Sequence, residues 1–577
     1  MSSTLTKRKR ARKACIPCHQ RKRKCDTEYP CGMCSQYGYS CSYATDNDNG
    51  IHVSPTPKLK HINVNDGSLS TSHSEAEKTH DHDSSSKNPL PTRGIFDEDK
   101  SRYAGASAAM AFPHILGLAL GSNSPPKVGS FAYNFGIRPD EESNPHCLLG
   151  KLISEEDLTT FSNVYFSVLG PVADFLDPRI YAQRCRNYYS GSGTDEFAAV
   201  AAGVASLGSF LSPNRHPRES DLVQYAKTIL DDPATVRMLS IDHIVAWALR
   251  IFYLRATTRP NNAWMASCIG MHMCETIGLH EEANIKKMAS MPGAAIFGHD
   301  ADRLRRIFWI AWAGHNIVSY EHDCSAVHFR TVTCESINPK PGSVSNQFVQ
   351  LAQIIPAPNS PFRLETQPTN PSDELFERVK ALNNLQVTYP FLVVTKADII
   401  FCFYRRIYQL KTYIPDEFIE LVIINGNAGV KAAEELASQG RLFWNVIGSV
   451  FQYTCILLAI DTPTSSANIS TAFRGLENLV KAADTKLTRE ALSIARHLLS
   501  LNIAKKRKEL SQLEAVDQTS FQFFQSQTQQ SYNSNANNSE SVPDTMSNWE
   551  LDWDQFFMEP YLSMLGSDSM LGSDLQL

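Results

Sequence analysis

The chain has 577 residues, 42% hydrophobic and 20% charged, a composition that suits a soluble protein with several domains and a large core and excludes a fibrous or wholly disordered one. The formal charge of -5 is unevenly spread: residues 1–43 hold ten Lys or Arg against Asp26 and Glu28, a net +8, which leaves -13 for the rest. A basic head on an acidic body excludes a uniformly charged surface and points to a polyanionic partner at one end.

The opening stretch "MSSTLTKRKRARK" has no apolar run after its basic residues, so it does not read as a secretory signal. A reducing compartment follows as the expectation, and the 14 cysteines are then not a disulfide framework. Eight of them are scattered singly through apolar sequence and are expected to be ordinary buried thiols. The other six are packed into residues 15–41 with the spacing Cys15-x2-Cys18-x6-Cys25-x5-Cys31-x2-Cys34-x6-Cys41. This is C-x2-C-x6-C written twice, joined by a short loop containing Pro30.

A structural zinc ion takes four ligands in a tetrahedron, and thiolates are its soft donors of choice. Two ions need eight metal–sulfur bonds, which six thiolates supply if two of them bridge. The duplication places the bridges at equivalent members of the two halves. A single four-cysteine site with two spare thiols, or a metal store, are the competing readings, and the regularity of the repeat weighs against both. Between Cys18 and Cys25 runs "HQRKRK" (19–24), a basic segment on a short helix tethered at both ends, whereas "GMCSQYGYSC" in the second half has no basic residue.

The segment resembles the binuclear zinc cluster DNA-binding domain of fungal transcription factors, and matches its spacing at all six cysteines. That resemblance implies bridging by Cys15 and Cys31, one ion taking Cys15, Cys18, Cys25 and Cys31 and the other Cys15, Cys31, Cys34 and Cys41. It also implies that Lys22, four residues after the second cysteine, reads bases in the major groove of a CGG-like triplet, with Arg21 next in line. His19, Arg23, Lys24, Arg12 and Lys13 would suit phosphates, which give affinity and salt dependence rather than sequence choice. The arm "KRKRARK" fits DNA contact and a nuclear localisation signal equally.

Residues 46 to about 100 are rich in Asp, Asn, Ser, Thr, His and Pro with no apolar periodicity, and the span 46–145 reads as a mostly disordered linker. No heptad pattern follows the cysteines, so no coiled-coil dimeriser is visible there. From 146 to 510 the patterning is helical: 240–255 with Ser240 as N-cap, 261–280 with Gly278 near its end, 300–320, 395–410, 442–460 and 488–501. In 300–320, Leu304, Ile307, Phe308, Ala311 and Val318 fall on one side. The uncharged 442–460 is long enough to span a membrane, but Asn445, Ser449 and Gln452 make a polar stripe at helical spacing, so a buried helix is expected and no membrane partner.

This middle part resembles the fungal-specific regulatory domain that accompanies such clusters, carried by "NNAWMASCIGMHMCETIGLH" and "DADRLRRIFWIAWAGHNIVSY" over roughly residues 155–350. The resemblance implies an α-helical domain that regulates activity, with ligand sensing among its roles. The chain shows no P-loop, G-x-G-x-x-G, H-E-x-x-H or G-x-S-x-G motif, so it is not read as an enzyme. His272 and Cys274, and "HDHD" at 80–83, are read as core and linker side chains rather than metal ligands.

No Lys or Arg follows Lys508, while Asp and Glu recur to the end. In "NWELDWDQFFMEPYLSMLGSDSMLGSDLQL" acidic residues alternate with Trp549, Trp553, Phe556, Phe557 and Tyr561, and "SMLGSD" occurs twice in tandem. Such alternation marks a segment that folds onto a partner, here the transcription machinery or a coactivator.

The reading is therefore a basic arm and zinc cluster with two short helices (1–45), a linker (46–145), a large all-α regulatory domain (146–510) and a disordered acidic-aromatic tail (511–577). The expected function is zinc-dependent, sequence-specific activation of RNA polymerase II transcription in the nucleus, with two zinc ions per chain and double-stranded DNA as partner. A homodimer or heterodimer would supply the second half-site, or a monomer would use extra contacts from the arm. The alternatives are a repressor, and a ligand-sensing or enzymatic helical protein in which the cluster is a scaffold.

Overall fold

The computed structural model describes residues 14–20, 25–26, 28–37, 41–42, 95–97, 102–105, 108, 111–125, 147–233, 238–365, 368 and 370–530. It divides into two units, 1–86 and 87–577.

The first unit contains two short helices, α1 (Ile16–Gln20) and α2 (Gly32–Tyr37). Pro17 lies in the first turn of α1, where its missing N–H costs no helical hydrogen bond. The core here is made of sulfur: Cys15, Cys18, Cys25, Cys31, Cys34 and Cys41 are all buried, with Ala14 and Met33 packed against them. A module this small cannot bury enough hydrocarbon to fold on that alone.

The second unit opens with a hairpin inside the segment expected to be linker. Strand β1 (Ile95–Asp97) pairs antiparallel with β2 (Arg102–Ala104), Phe96 opposite Tyr103. The eight-residue α3 (Phe112–Ala119) follows. Each piece is too short to show a periodicity. Docking on the helical body holds the hairpin: the Tyr103 hydroxyl donates to Glu281, its ring meets His280 edge-on at 5.1 Å, and Phe96 is buried.

Then come α4 (Glu155–Val168), α5 (Pro178–Asn187), α6 (Asp195–Leu211), α7 (Glu219–Leu230), α8 (Ile241–Thr257) and α9 (Pro260–Ile277). Helix α6 packs between α4, α7 and α8 and is buried nearly all round. Its small residues permit this: a Cβ on Gly208 would sit 1.9 Å from the Phe161 carbonyl oxygen. Ser240 caps α8, its N–H donating to His243 Nδ1 at 3.0 Å, and Gly278 ends α9 with φ of 84°.

The remaining helices are α10 (Glu282–Ala289), α11 (Ala294–Phe297), α12 (Ala301–Glu321), α13 (Ser345–Ile354), α14 (Pro371–Asn384) and α15 (Pro390–Gln409). They are followed by α16 (Asp416–Ser438), α17 (Trp444–Ile460), α18 (Pro463–Ala482) and α19 (Lys486–Gln530). Helix α12 is the spine, packing on α9, α13 and α15. The sequence placed one apolar side on it, yet Arg303, Arg306, His315 and Asn316 on its other faces are buried too. Arg306 achieves this by bonding Asp302, Asp174, Ser345 and the Asn338 carbonyl, so its charge and donors are met.

No described helix is long and apolar enough to cross a membrane. The polar stripe of α17 instead faces α15: Asn445 Nδ2 donates to Thr395 Oγ1 at 3.3 Å, and Arg405 donates to Gln452 Oε1 at 3.2 Å. Helix α19 overruns its expected end at 501 and continues to 530, into the segment assigned to the tail. Its first half is anchored by Leu492 and Ala495 in the core and by Lys505 and Lys506 on Asp461.

Candidate metal centre and nucleic-acid interface

The geometry of the first unit gathers the six thiols into two overlapping sets. The sulfurs of Cys15, Cys18, Cys25 and Cys31 all lie within 4.8 Å of one another, and so do those of Cys15, Cys31, Cys34 and Cys41. Cys15 and Cys31 belong to both sets. The Cys15–Cys31, Cys15–Cys34 and Cys18–Cys31 sulfur pairs are each 3.6 Å apart. Thiolates about 2.3 Å from a central zinc stand about 3.8 Å from one another, so the spacing fits tetrahedral metal and is far too long for disulfides.

The two halves repeat in their backbone bonds as well. The Cys15 N–H donates to Cys25 Sγ at 3.5 Å, and ten residues apart in the same way the Cys31 N–H donates to Cys41 Sγ at 3.3 Å. The Cys34 N–H donates to Cys31 Sγ at 3.3 Å. Amide donors of this kind favour thiolate over thiol.

Crowding opposes ionisation. Burial pushes the Cys15 and Cys18 thiols up, and Cys34 up to about 12. At Cys31 burial acts upward too, but the Cys34 amide and the neighbouring sulfurs outweigh it and bring the thiol down to about 6. Six sulfurs this close cannot all be anionic unless cations sit among them, and that is the chemistry of a metal cluster.

Sequence reasoning missed Asp26. Its carboxylate accepts from the Gly32 N–H at 2.7 Å and the Glu28 N–H at 3.1 Å, and the Glu28 and Gly32 amides hold it below the usual carboxylate range. Asp26 thereby ties the loop between the halves to the start of α2. A Cβ on Gly32 would come 2.8 Å from Asp26 Oδ2, so the glycine keeps that approach open. The available signal was an Asp directly after Cys25, a residue type that bonds nearby backbone amides in turns. The Ile16 N–H donates to the Ser42 carbonyl at 2.7 Å and closes the module on itself.

Of the residues expected at DNA, His19 is exposed on the last turn of α1. Arg12, Lys13, Arg21, Lys22, Arg23 and Lys24 lie outside the described residues, as do "HDHD" and the aromatic tail. The chain places the basic run directly between two cluster cysteines, Cys18 and Cys25, which are both buried.

Elsewhere, Cys274 is buried in the core while His272 is exposed and lies 3.4 Å from Glu275, so the two do not converge. Among the described residues, only the two cysteine sets bring three or more potential metal ligands together. Of the eight scattered cysteines, Cys185, Cys274, Cys334 and Cys402 are buried as expected. Cys147, outside any helix, is exposed, and Cys268, Cys324 and Cys455 are half-buried; for the helical Cys268 and Cys455, flanking apolar residues do not dictate which way the side chain points.

Comparison with known proteins gives the same division. Residues 13–49 match the fungal Zn(2)-Cys(6) binuclear cluster domain, and residues 161–313 match the fungal specific transcription factor domain. Protein RDR1 of Saccharomyces cerevisiae is 39% identical over 88% of this chain and 92% of its own length. The transcription factor kojR of Aspergillus oryzae is 30% identical over 89% of this chain and 87% of its own. A protein RDR1 of Gibberella zeae is 27% identical over 89% and 91%. No solved structure matches.

Proposed function

The chain belongs to the fungal binuclear zinc cluster transcription factors with a fungal-specific regulatory domain, and from that premise we propose that it is a nuclear activator of RNA polymerase II transcription that reads CGG-like triplets. As in that family, the cluster domain binds two zinc ions. In this reading one ion is held by Cys15, Cys18, Cys25 and Cys31 and the other by Cys15, Cys31, Cys34 and Cys41. Bound zinc supplies the folding energy that so small a module lacks.

The observation that carries the reading is the tethering of the basic run by two cluster cysteines. Cys18 and Cys25 bracket "HQRKRK" in the sequence, so zinc held by both restricts the backbone that joins them and lowers the conformational cost of meeting DNA. Lys22 and Arg21 donate to guanine acceptors in the major groove. His19, Arg23, Lys24, Arg12 and Lys13 contact phosphates and set the salt dependence. Asp26 holds the second half against the first. That half lacks basic residues and acts as a brace.

A contact of about three base pairs cannot single out a site in a genome offering on the order of 10⁶ or more competitors. Two copies, or a copy and a related chain, therefore engage paired triplets. The acidic-aromatic tail recruits the transcription machinery or a coactivator.

Binding-site selection on random DNA with the full-length, zinc-loaded chain tests this. Paired CGG-like triplets at fixed spacing are expected, and Lys22→Ala should relax triplet preference by ~10-fold or more while the helical circular dichroism is unchanged. Absence of any enriched sequence would overturn the DNA-reading assignment. Deleting residues 543–577 should lower target transcription; unchanged or raised transcription would replace activation with repression.

A further inference from the structure

From Ile503 to Asp517 every residue of α19 is exposed, on all faces of the helix. Leu510 is 56% exposed and Leu513 69%, with Ile503 at 40%. Most helical stability in proteins comes from packing an apolar face, and these side chains have no such cover. Their placement is regular. Leu510 lies one heptad after Ile503, and Leu513 one turn further, so the three share a side of the helix. The same side is buried earlier in α19: Leu492 and Ala495, which enter the core, lie about five turns before Leu510 and Leu513. The apolar stripe therefore continues past the surface that covers its beginning.

The charges around it are segregated along the axis. Lys505, Lys506, Arg507 and Lys508 come first, then Glu509, Glu514 and Asp517, and no Lys or Arg follows Lys508. Lys505 and Lys506 are held on Asp461. Arg507, Glu514 and Asp517 form no ion pair among the described residues. A basic half followed by an acidic half is complementary to its own reverse.

We propose that this side of α19 pairs antiparallel with the same stretch of a second copy of the chain, Leu510 of each seated on Leu513 of the other. In that register Arg507 of one copy faces Glu514 of its mate, and two-fold symmetry makes the pair twice. A parallel pairing in register would set the basic run beside itself and the acidic residues beside themselves, which is repulsive. The chain's own acidic tail would meet Glu509, Glu514 and Asp517 with like charge, so it fits this face less well than a second copy does. The seam over residues 503–517 is about 22 Å long, so the dimer is weak by itself and tightens where both copies hold DNA. Its role rests on the paired-triplet reading, for which it supplies the second copy.

Sedimentation equilibrium of the full-length, zinc-loaded chain, without DNA, tests the pairing. A reversible monomer–dimer equilibrium is expected. Leu510→Gln/Leu513→Gln, which keeps good helix formers at both positions, should leave monomer alone. Arg507→Glu and Glu514→Arg should each weaken the dimer ~5-fold or more, and the two together should restore it, because the reversed pair meets again across the axis. A monomer at every concentration would overturn the proposal and leave this face to a related chain. So would a dimer indifferent to the leucines, or one that the double reversal fails to restore. No DNA enters the experiment, so its outcome is separate from that of the triplet assignment.

Discussion

His315 shows how one side chain on the spine helix couples the body's stability to pH. It is fully buried; Nε2 accepts from the Val327 N–H at 2.8 Å, which leaves Nδ1 to donate to Ser267 Oγ at 2.8 Å. Burial, with His272 adding, brings it down from 6.5 to about 4. A histidine depressed on folding stabilises the fold above its unfolded pKa, and that contribution is lost as pH falls from 6.5 towards 4. Between pH 7 and pH 5 the body should lose roughly 2 kcal/mol through this residue. Denaturant midpoints followed by far-ultraviolet circular dichroism at the two pH values measure it. His315→Gln, which keeps an acceptor and a donor but does not titrate, should shrink the difference. An unchanged pH slope in that variant would remove His315 from the account. No sequence pattern marks this histidine, because its neighbours on α9 and in the loop after α12 come from distant parts of the chain.

At the scale of the element, two glycines one helix apart make opposite predictions. Gly426 on α16 faces α17, and a Cβ there would lie 2.1 Å from Tyr453 Cε2, whose ring is stacked on Phe401 at 5.7 Å. The ring has nowhere to go, so Gly426→Ala should destabilise by about 1–3 kcal/mol despite alanine's better helix propensity. Gly448 on α17 has nothing within 4 Å of the same position, and Gly448→Ala should stabilise by about 0.5–1 kcal/mol. Thermal melting of both variants checks the pair, and equal effects would refute the packing argument. Spacing alone made α17 legible as a helix with a polar stripe. Which glycine is a contact and which is spare was not legible, since the composition around them is alike.

At the scale of the whole molecule, the two units have cores of different kinds, six sulfurs in one and a continuous apolar cluster from Phe96 to Ala495 in the other. Removing zinc with a chelator should therefore release two ions per chain and abolish sequence-specific DNA binding, while the cooperative melting of the helices keeps its midpoint. Metal analysis and circular dichroism on one sample measure both, and a collapsed helical transition would show that the units depend on each other. The sequence by itself determined the cluster, because zinc coordination demands particular atoms at short, regular spacing and local chemistry suffices to read it. It also determined that the body is helical, and where Ser240 and Gly278 begin and end its helices, because capping and periodicity are local. Only the tertiary structure decided that the hairpin at 95–104 docks on the body, that Arg306 is buried, and that Asp398 and Asn445 line one cleft. Each depends on partners far apart in the chain, and their meeting follows from how helices pack, not from any interval in the sequence.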